Sequence, residues 1–197
     1  MRFFPFSLPS LPKQRFWMGW IVMTVLGFLL SLWVIEIGER PDVASWQGSL
    51  GGLLIGGVQA VLLRGKLQRV RQWVWVNAIA WGVMTLGGVG AIGWVTPRTE
   101  VWVVRLFYGM FLGILGGLIL GIAQWWVLHR QVPLARWWVV LSALCWGISL
   151  AVGWSFGGLL RGVTHLFLGD VIGLGITWVF VGGITGWGLT IFLQRHS

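Results

Sequence analysis

The stretch from Gly109 to Arg130, GMFLGILGGLILGIAQWWVLHR, constrains this chain more than any other. Between Gly109 and Leu128 it carries no charge, and its glycines at 109, 113, 117 and 121 recur every fourth residue, on one face of a helix. About 20 apolar residues is the length that crosses bilayer hydrocarbon as a helix. In lipid, water exclusion does not press helices together, so close packing of small residues has to do it. The first expectation is therefore a membrane helix with a glycine zipper for close backbone contact.

The rest of the chain agrees. Of its 197 residues, 57% are hydrophobic and 10% charged, too little polar surface for a soluble domain of this size. A net charge of +9 would suit a nucleic-acid partner only on a solvated basic face interleaved with aromatics, and here the charges stand at the ends of apolar runs, so no nucleic acid is expected. The single cysteine, Cys145, permits no internal disulfide and reads as a small structural residue. Residues 1–15 hold Pro5, Pro9 and Pro12 and lack the small-residue cleavage site of a signal peptide, which predicts a retained cytoplasmic arm ahead of a transmembrane domain over 16–197.

Six apolar runs follow, at roughly 16–37, 44–63, 73–95, 104–128, 137–159 and 170–193. An even number puts both ends on one side. That side holds Arg2, Lys13, Arg15, Arg64, Lys66, Arg69, Arg71, Arg130, Arg136 and Arg195, which is 10 of the 14 basic residues. The other holds Arg40, Arg98, Arg105 and Arg161 with all five acids, Glu36, Glu39, Asp42, Glu100 and Asp170. The excess of Lys and Arg predicts cytoplasmic termini. Tryptophans are expected chiefly as interfacial anchors: Trp17, Trp20, Trp73, Trp75, Trp125, Trp126, Trp137 and Trp138 in a cytoplasmic belt, and Trp33, Trp46, Trp94, Trp102 and Trp154 in an outer one.

An internal repeat organises the runs. With an offset of 65 and no gap, GGLLIGGVQAVLLR (Gly51 to Arg64) falls on GGLILGIAQWWVLH (Gly116 to His129). The register continues through Arg71 on Arg136, Trp73 on Trp138, Asn77 on Ser142, Trp81 on Trp146 and Gly82 on Gly147. A further 65 takes Gly117 to Gly182 and Gly121 to Gly186, so the sixth span reads as the first half of a third copy, completed by the first span, where Arg15, Phe16 and Trp17 echo Arg71, Gln72 and Trp73. The predicted fold is all-α: six transmembrane helices in a bundle of pseudo-three-fold hairpin repeats of 65 residues, the even-numbered glycine-rich spans inside and the odd ones outside.

Polar residues inside the spans need partners. Gln59 and Asn77 lie at matching depth on antiparallel neighbours, as do Gln124 and Ser142; each pair is expected to clasp its hairpin, worth about 1 kcal/mol. A polar ligand gripped by both glutamines is the functional alternative. At the outer end Arg40, Arg105 and Asp170 are equivalent under the 65-residue shift, with Glu36, Glu100, Arg161 and His165 at comparable depth. This cluster reads either as ion pairing that compensates Asp170 or as an anion or substrate site.

Catalytic patterns are missing. His129 and His196 stand at one face and His165 at the other, which does not suit a buried haem, and there is no HExxH, no GxSxG and no pair of mid-span carboxylates. Neither enzyme activity, nor a metal, nor a cofactor is expected.

The pattern GxxxGxxQ followed by LR or LH, then RxW and WG, resembles a tandem motif of poorly characterised polytopic proteins in cyanobacteria and related bacteria, over 48–82 and 113–147. The resemblance implies no reaction, ligand or functional residue. It does imply a bacterial inner (plasma) or thylakoid membrane. The six-span format is also similar to the substrate-binding subunits of energy-coupling-factor transporters, but Gly19 and Gly27 are spaced too widely for their docking motif. The leading expectation is a non-enzymatic accessory, assembly or scaffold subunit, partnered by the bilayer, by other integral membrane proteins and by anionic headgroups on its basic face, RGKLQRVR (Arg64 to Arg71). A small-solute binding or transport protein with an outer-face site is the alternative, and a lipophilic-cofactor carrier for a pigment or quinone the third.

Overall fold

The computed structural model describes residues 13–39 and 42–194. Among these the chain is helical, with six α-helices and no strand beyond an isolated bridge between Gly38 and Val95. The helices are α1 (Lys13–Ser31), α2 (Ser45–Leu63), α3 (Val70–Leu86), α4 (Trp102–Leu128), α5 (Arg136–Thr164) and α6 (Leu168–Gln194). All but α3 are long and apolar enough to cross a membrane. Of the expected N-terminal arm, residues 1–12 lie outside the described residues, and 13–15 form the first turn of α1.

The third helix differs most from expectation. The apolar run to residue 95 predicts a full span, yet α3 has 17 residues, about 25 Å at 1.5 Å per residue, and ends at Leu86. Two adjacent glycines stop it. Gly88 adopts φ +74°, its N–H donates to the Thr85 carbonyl, and the Val89 N–H donates to Met84. That six-to-one, five-to-two pairing satisfies the terminal carbonyls with a left-handed residue, which glycine supplies without strain. A turn of 3-10 helix, Gly90–Gly93, and an extended segment then run beside the far half of α4.

Each helix packs on its sequence neighbours, and α1 closes the ring against α6. The α2–α3 and α4–α5 connections lie at the end where α1 starts and α6 finishes, the termini end; the other three lie at the far end. The division into inner even and outer odd helices does not hold. Buried residues make up 56% of the apolar window of α5 but 33% of that of α4, so burial does not follow parity.

Glycine sets the helix spacing. A Cβ at Gly117 would stand 2.5 Å from the Ser142 carbonyl oxygen, and one at Gly109 would stand 2.8 Å from that of Leu150, so the bare glycine face of α4 touches α5 backbone. Gly52 and Gly56 of α2 meet Asn77 and Val74 of α3 in the same way, and Gly182 of α6 lies against Ile21 of α1. Between α5 and α6 the contact is glycine on glycine: Gly157 faces Gly173, with a Cβ at Gly173 falling 2.8 Å from the Gly157 Cα.

The interior between these hairpins is filled by indoles. Eight of the 17 tryptophans are buried: Trp20, Trp73, Trp81, Trp94, Trp138, Trp146, Trp154 and Trp178. Five of them, Trp20, Trp73, Trp94, Trp138 and Trp154, are expected in the interfacial belts and stand in the core instead. Hydropathy alone does not separate an anchor from a core residue, because the indole suits both places. Trp17, Trp33, Trp46, Trp75, Trp102, Trp126 and Trp137 are exposed as anchors would be.

Candidate functional site

Three layers of polar and aromatic side chains cross the bundle. Nearest the termini end, Trp20 of α1, Trp73 of α3 and Trp138 of α5 pack edge to face or tilted, with ring centroids 6.0 and 6.3 Å apart. Each indole N–H donates to the helix beside it: Trp73 to Gln59 Oε1 at 3.2 Å, Trp138 to Gln124 Oε1 at 2.8 Å and Trp20 to Thr185 Oγ1 at 2.9 Å. The glutamines then reach the other way. Gln59 Nε2 donates to Thr24 Oγ1 at 3.1 Å and Gln124 Nε2 to Asn77 Oδ1 at 2.9 Å, while Asn77 Nδ2 donates to the Trp73 carbonyl. Polar links therefore run from α1 through α5.

This corrects the expected clasps. Gln59 does not bond Asn77 and Gln124 does not bond Ser142; tryptophan joins each hairpin, and each amide spans to the helix before it. Ser142 packs instead against the bare surface at Gly121, where a Cβ would stand 3.0 Å from its own. The signal that identifies the donors is Trp73 and Trp138, each 14 residues after its glutamine; the expectation of interfacial anchoring hid it.

The middle layer is apolar. Trp81, Trp146 and Trp178 form a triangle with centroids 5.2 to 6.0 Å apart. Trp94 tilts against Trp81 at 4.6 Å, donates to Ser31 Oγ at 2.8 Å and thereby fixes the 3-10 turn to α1. Between this layer and the amide layer lies a gap of about 20 Å³ lined by Gln59, Asn77, Gln124, Trp138 and Trp146, room for a single water.

The far end carries the ion cluster. Arg105 and Asp170 are both fully buried and joined through Nη1 and Oδ1. The other Asp170 oxygen accepts from Arg161 Nη1 at 2.8 Å, and Arg161 also pairs with Glu39. Arg105 spends its remaining donors on backbone: Nε on the Thr99 carbonyl at 2.6 Å, Nη2 on Pro97 at 3.0 Å and Nη1 on Trp154 at 3.2 Å. Gly158 leaves room for it, since a Cβ there would fall 2.6 Å from Arg105 Cδ. Arg105 thus ties the α3–α4 connection to α5 and α6. Of the other expected members, Glu36, Glu100 and His165 are exposed, with His165 closing α5 in a left-handed conformation of φ 56°, and Arg40 lies outside the described residues. Glu39, one of the five outer acids, is the partner that the 65-residue equivalence does not single out.

In comparisons with family models, curated proteins and solved structures, none matches this chain. The site must be judged on its own chemistry. A carboxylate paired twice over and an arginine with every nitrogen engaged have little left for a ligand. Among the described residues no three His, Cys, Asp or Glu side chains gather as metal ligands.

A cleft of about 520 Å³ opens beside this cluster, where the shortness of α3 leaves the far half of α4 partly uncovered. Val89, Ile92, Val104, Tyr108, Leu112 and Trp154 form its apolar walls, and Thr96, Arg98 and Glu39 stand toward its polar edge. No feature of the sequence announces it, because it depends on where α3 stops.

Proposed function

We propose that this chain is a six-span integral membrane protein of a bacterial plasma or thylakoid membrane, with cytoplasmic termini, acting as a non-enzymatic accessory or assembly subunit beside other membrane proteins. In this reading α3 and its 3-10 turn together cross the bilayer. The observation that carries it is the filled interior: among the described residues, three stacked layers of tryptophan and paired polar groups, with a water-sized gap between two of them, lie along the axis where a transporter needs a mid-membrane cavity. The basic termini end and the acid-rich far end support the orientation.

Equivalent contacts support a duplicated hairpin with a 65-residue period. Positions 52 and 117 each press on a carbonyl, of Asn77 and Ser142, and those partners are themselves 65 apart. Gly182 and Gly186 on α6 face α1 in the third copy, where Trp20 rather than Trp17 takes the place of Trp73 and Trp138. The outer-face solute site is the weaker reading, since Arg105 and Asp170 satisfy one another.

Purification from the native membrane in mild detergent tests the proposal. The expected result is a stoichiometric integral membrane partner and no uptake of solutes by vesicles holding the pure protein. Isolation alone, with solute flux into such vesicles, would replace the subunit reading by the transport one.

A further inference from the structure

The cleft between α3 and α4 carries two unfinished groups. Trp154 and Thr96 both line it, are 3% and 1% exposed, and hold buried polar atoms, indole Nε1 and hydroxyl Oγ1, that lack any hydrogen-bond partner. An indole N–H is only a donor, so the missing partner of Trp154 must be an acceptor. Leaving such a donor unpaired away from water costs about 1–3 kcal/mol, whereas the Trp20, Trp73, Trp94, Trp138 and Trp178 indoles each find an acceptor.

The surroundings describe the acceptor. Beneath it, Val104, Tyr108 and Leu112 run down α4 over about 12 Å, with Val104 and Tyr108 exposed on the outer wall of the bundle, so the cleft opens sideways. Above, Glu39 and Arg98 belong both to this cleft and to a polar groove of about 610 Å³ at the far end, where Glu36, Asp42 and Arg161 also stand. The cleft thus joins apolar walls and a donor without an acceptor to a polar edge where Arg98, which has no carboxylate partner among the described residues, stands with Glu36, Glu39 and Asp42.

We propose that this cleft holds one zwitterionic diacyl phospholipid of the far-end leaflet. An acyl chain lies against Val104, Tyr108 and Leu112, an ester carbonyl accepts from Trp154 Nε1 and Thr96, the phosphate pairs with Arg98, and the ammonium faces Glu36 and Asp42. A purely anionic lipid would meet the acids without compensation, and a chain with no carbonyl would leave Trp154 unpaired. The inference rests on the membrane reading but not on the subunit role.

Native mass spectrometry of the full chain in detergent, titrated with phosphatidylethanolamine, tests it. The expected result is one retained lipid, held at least severalfold more tightly than phosphatidylglycerol, and at least about fivefold more tightly than the ether-linked phosphatidylethanolamine that lacks ester carbonyls, the factor that a single one of the two hydrogen bonds supplies at about 1 kcal/mol. Trp154→Phe should narrow the ester–ether difference, Trp154→Phe combined with Thr96→Val should abolish it, and Arg98→Gln should weaken both lipids while sparing it. The ether comparison uses unaltered protein, so it stands if a variant misfolds. Equal retention of ester and ether lipids, a preference for phosphatidylglycerol, or a quinone in place of a phospholipid would overturn the proposal. Extraction of the protein from membranes by alkaline carbonate would instead refute the membrane reading beneath it.

Discussion

Replacing Arg105 by methionine should be among the most damaging single changes available at the far end. The side chain has no exposed surface and makes four hydrogen bonds, one of them to the equally buried Asp170. Removing one member of a buried ion pair costs about 3–5 kcal/mol, because the survivor keeps its charge without its partner. Arg161 still reaches Asp170 at 2.8 Å, which places the expected loss near the lower bound, about 3 kcal/mol. The double variant Arg105→Met, Asp170→Leu removes both charges and leaves Arg161 to Glu39, so it should recover most of that loss. Unfolding by increasing SDS in mixed micelles, followed by tryptophan fluorescence on the wild type, both singles and the double, gives the coupling free energy of the pair. A coupling of about 2 kcal/mol or more is expected. Additive singles, or a loss for Arg105→Met of about 0.5 kcal/mol or less as at an exposed pair, would show that the cluster is not what holds this end together.

The two other layers give sharper contrasts between sites. Gln124→Leu strips Trp138 Nε1 of its acceptor and Asn77 Oδ1 of its donor, and should lower stability in the same assay by about 1–2 kcal/mol, with a change in the emission of the buried indoles; no change would refute the clasp. Gly117→Val should prevent α4 from seating on α5, since even its Cβ would stand 2.5 Å from the Ser142 carbonyl, whereas Gly183→Ala, with nothing within 4 Å of the new atom, should melt like the wild type. Similar melting of both would argue that the glycine faces do not set the helix spacing.

The helical plan was legible because it rests on period and length, which side-chain identity along one strand of sequence reports directly. Gly109, Gly113, Gly117 and Gly121 share a face whatever they pack on, and all four are buried. The pairing of Arg105 with Asp170 was within reach for a related reason: both open a helix at the same end, and an intramembrane carboxylate needs a cation. What escaped depends on choices between partners of similar depth. Asn77 had Gln59 on one neighbouring helix and Gln124 on the other, and depth alone ranks them equally; the rotation of α3 decides for Gln124. The end of α3 was hidden because Gly87 and Gly88 sit in an apolar run that continues on both sides, and hydropathy does not register a left-handed turn. Glu39 escaped because it follows α1 in an irregular segment to which the helical repeat assigns no position.

The tryptophans connect these points. Glycine brings the two helices of a hairpin close, which leaves the space between hairpins to be filled by something large, and indole is the largest side chain available. Each buried indole then imposes a donor that water cannot satisfy, so the core must contain acceptors at matching depth: Gln59, Gln124, Thr185, Ser31 and the Gly93 carbonyl meet five of these demands. The buried side chains of Gln59, Gln124, Thr185 and Ser31 therefore answer the choice of filler. By the same reasoning Trp154, whose enclosed indole N–H finds no acceptor, marks a place where the packing of the chain alone is incomplete, and it borders the wall that the early end of α3 leaves open.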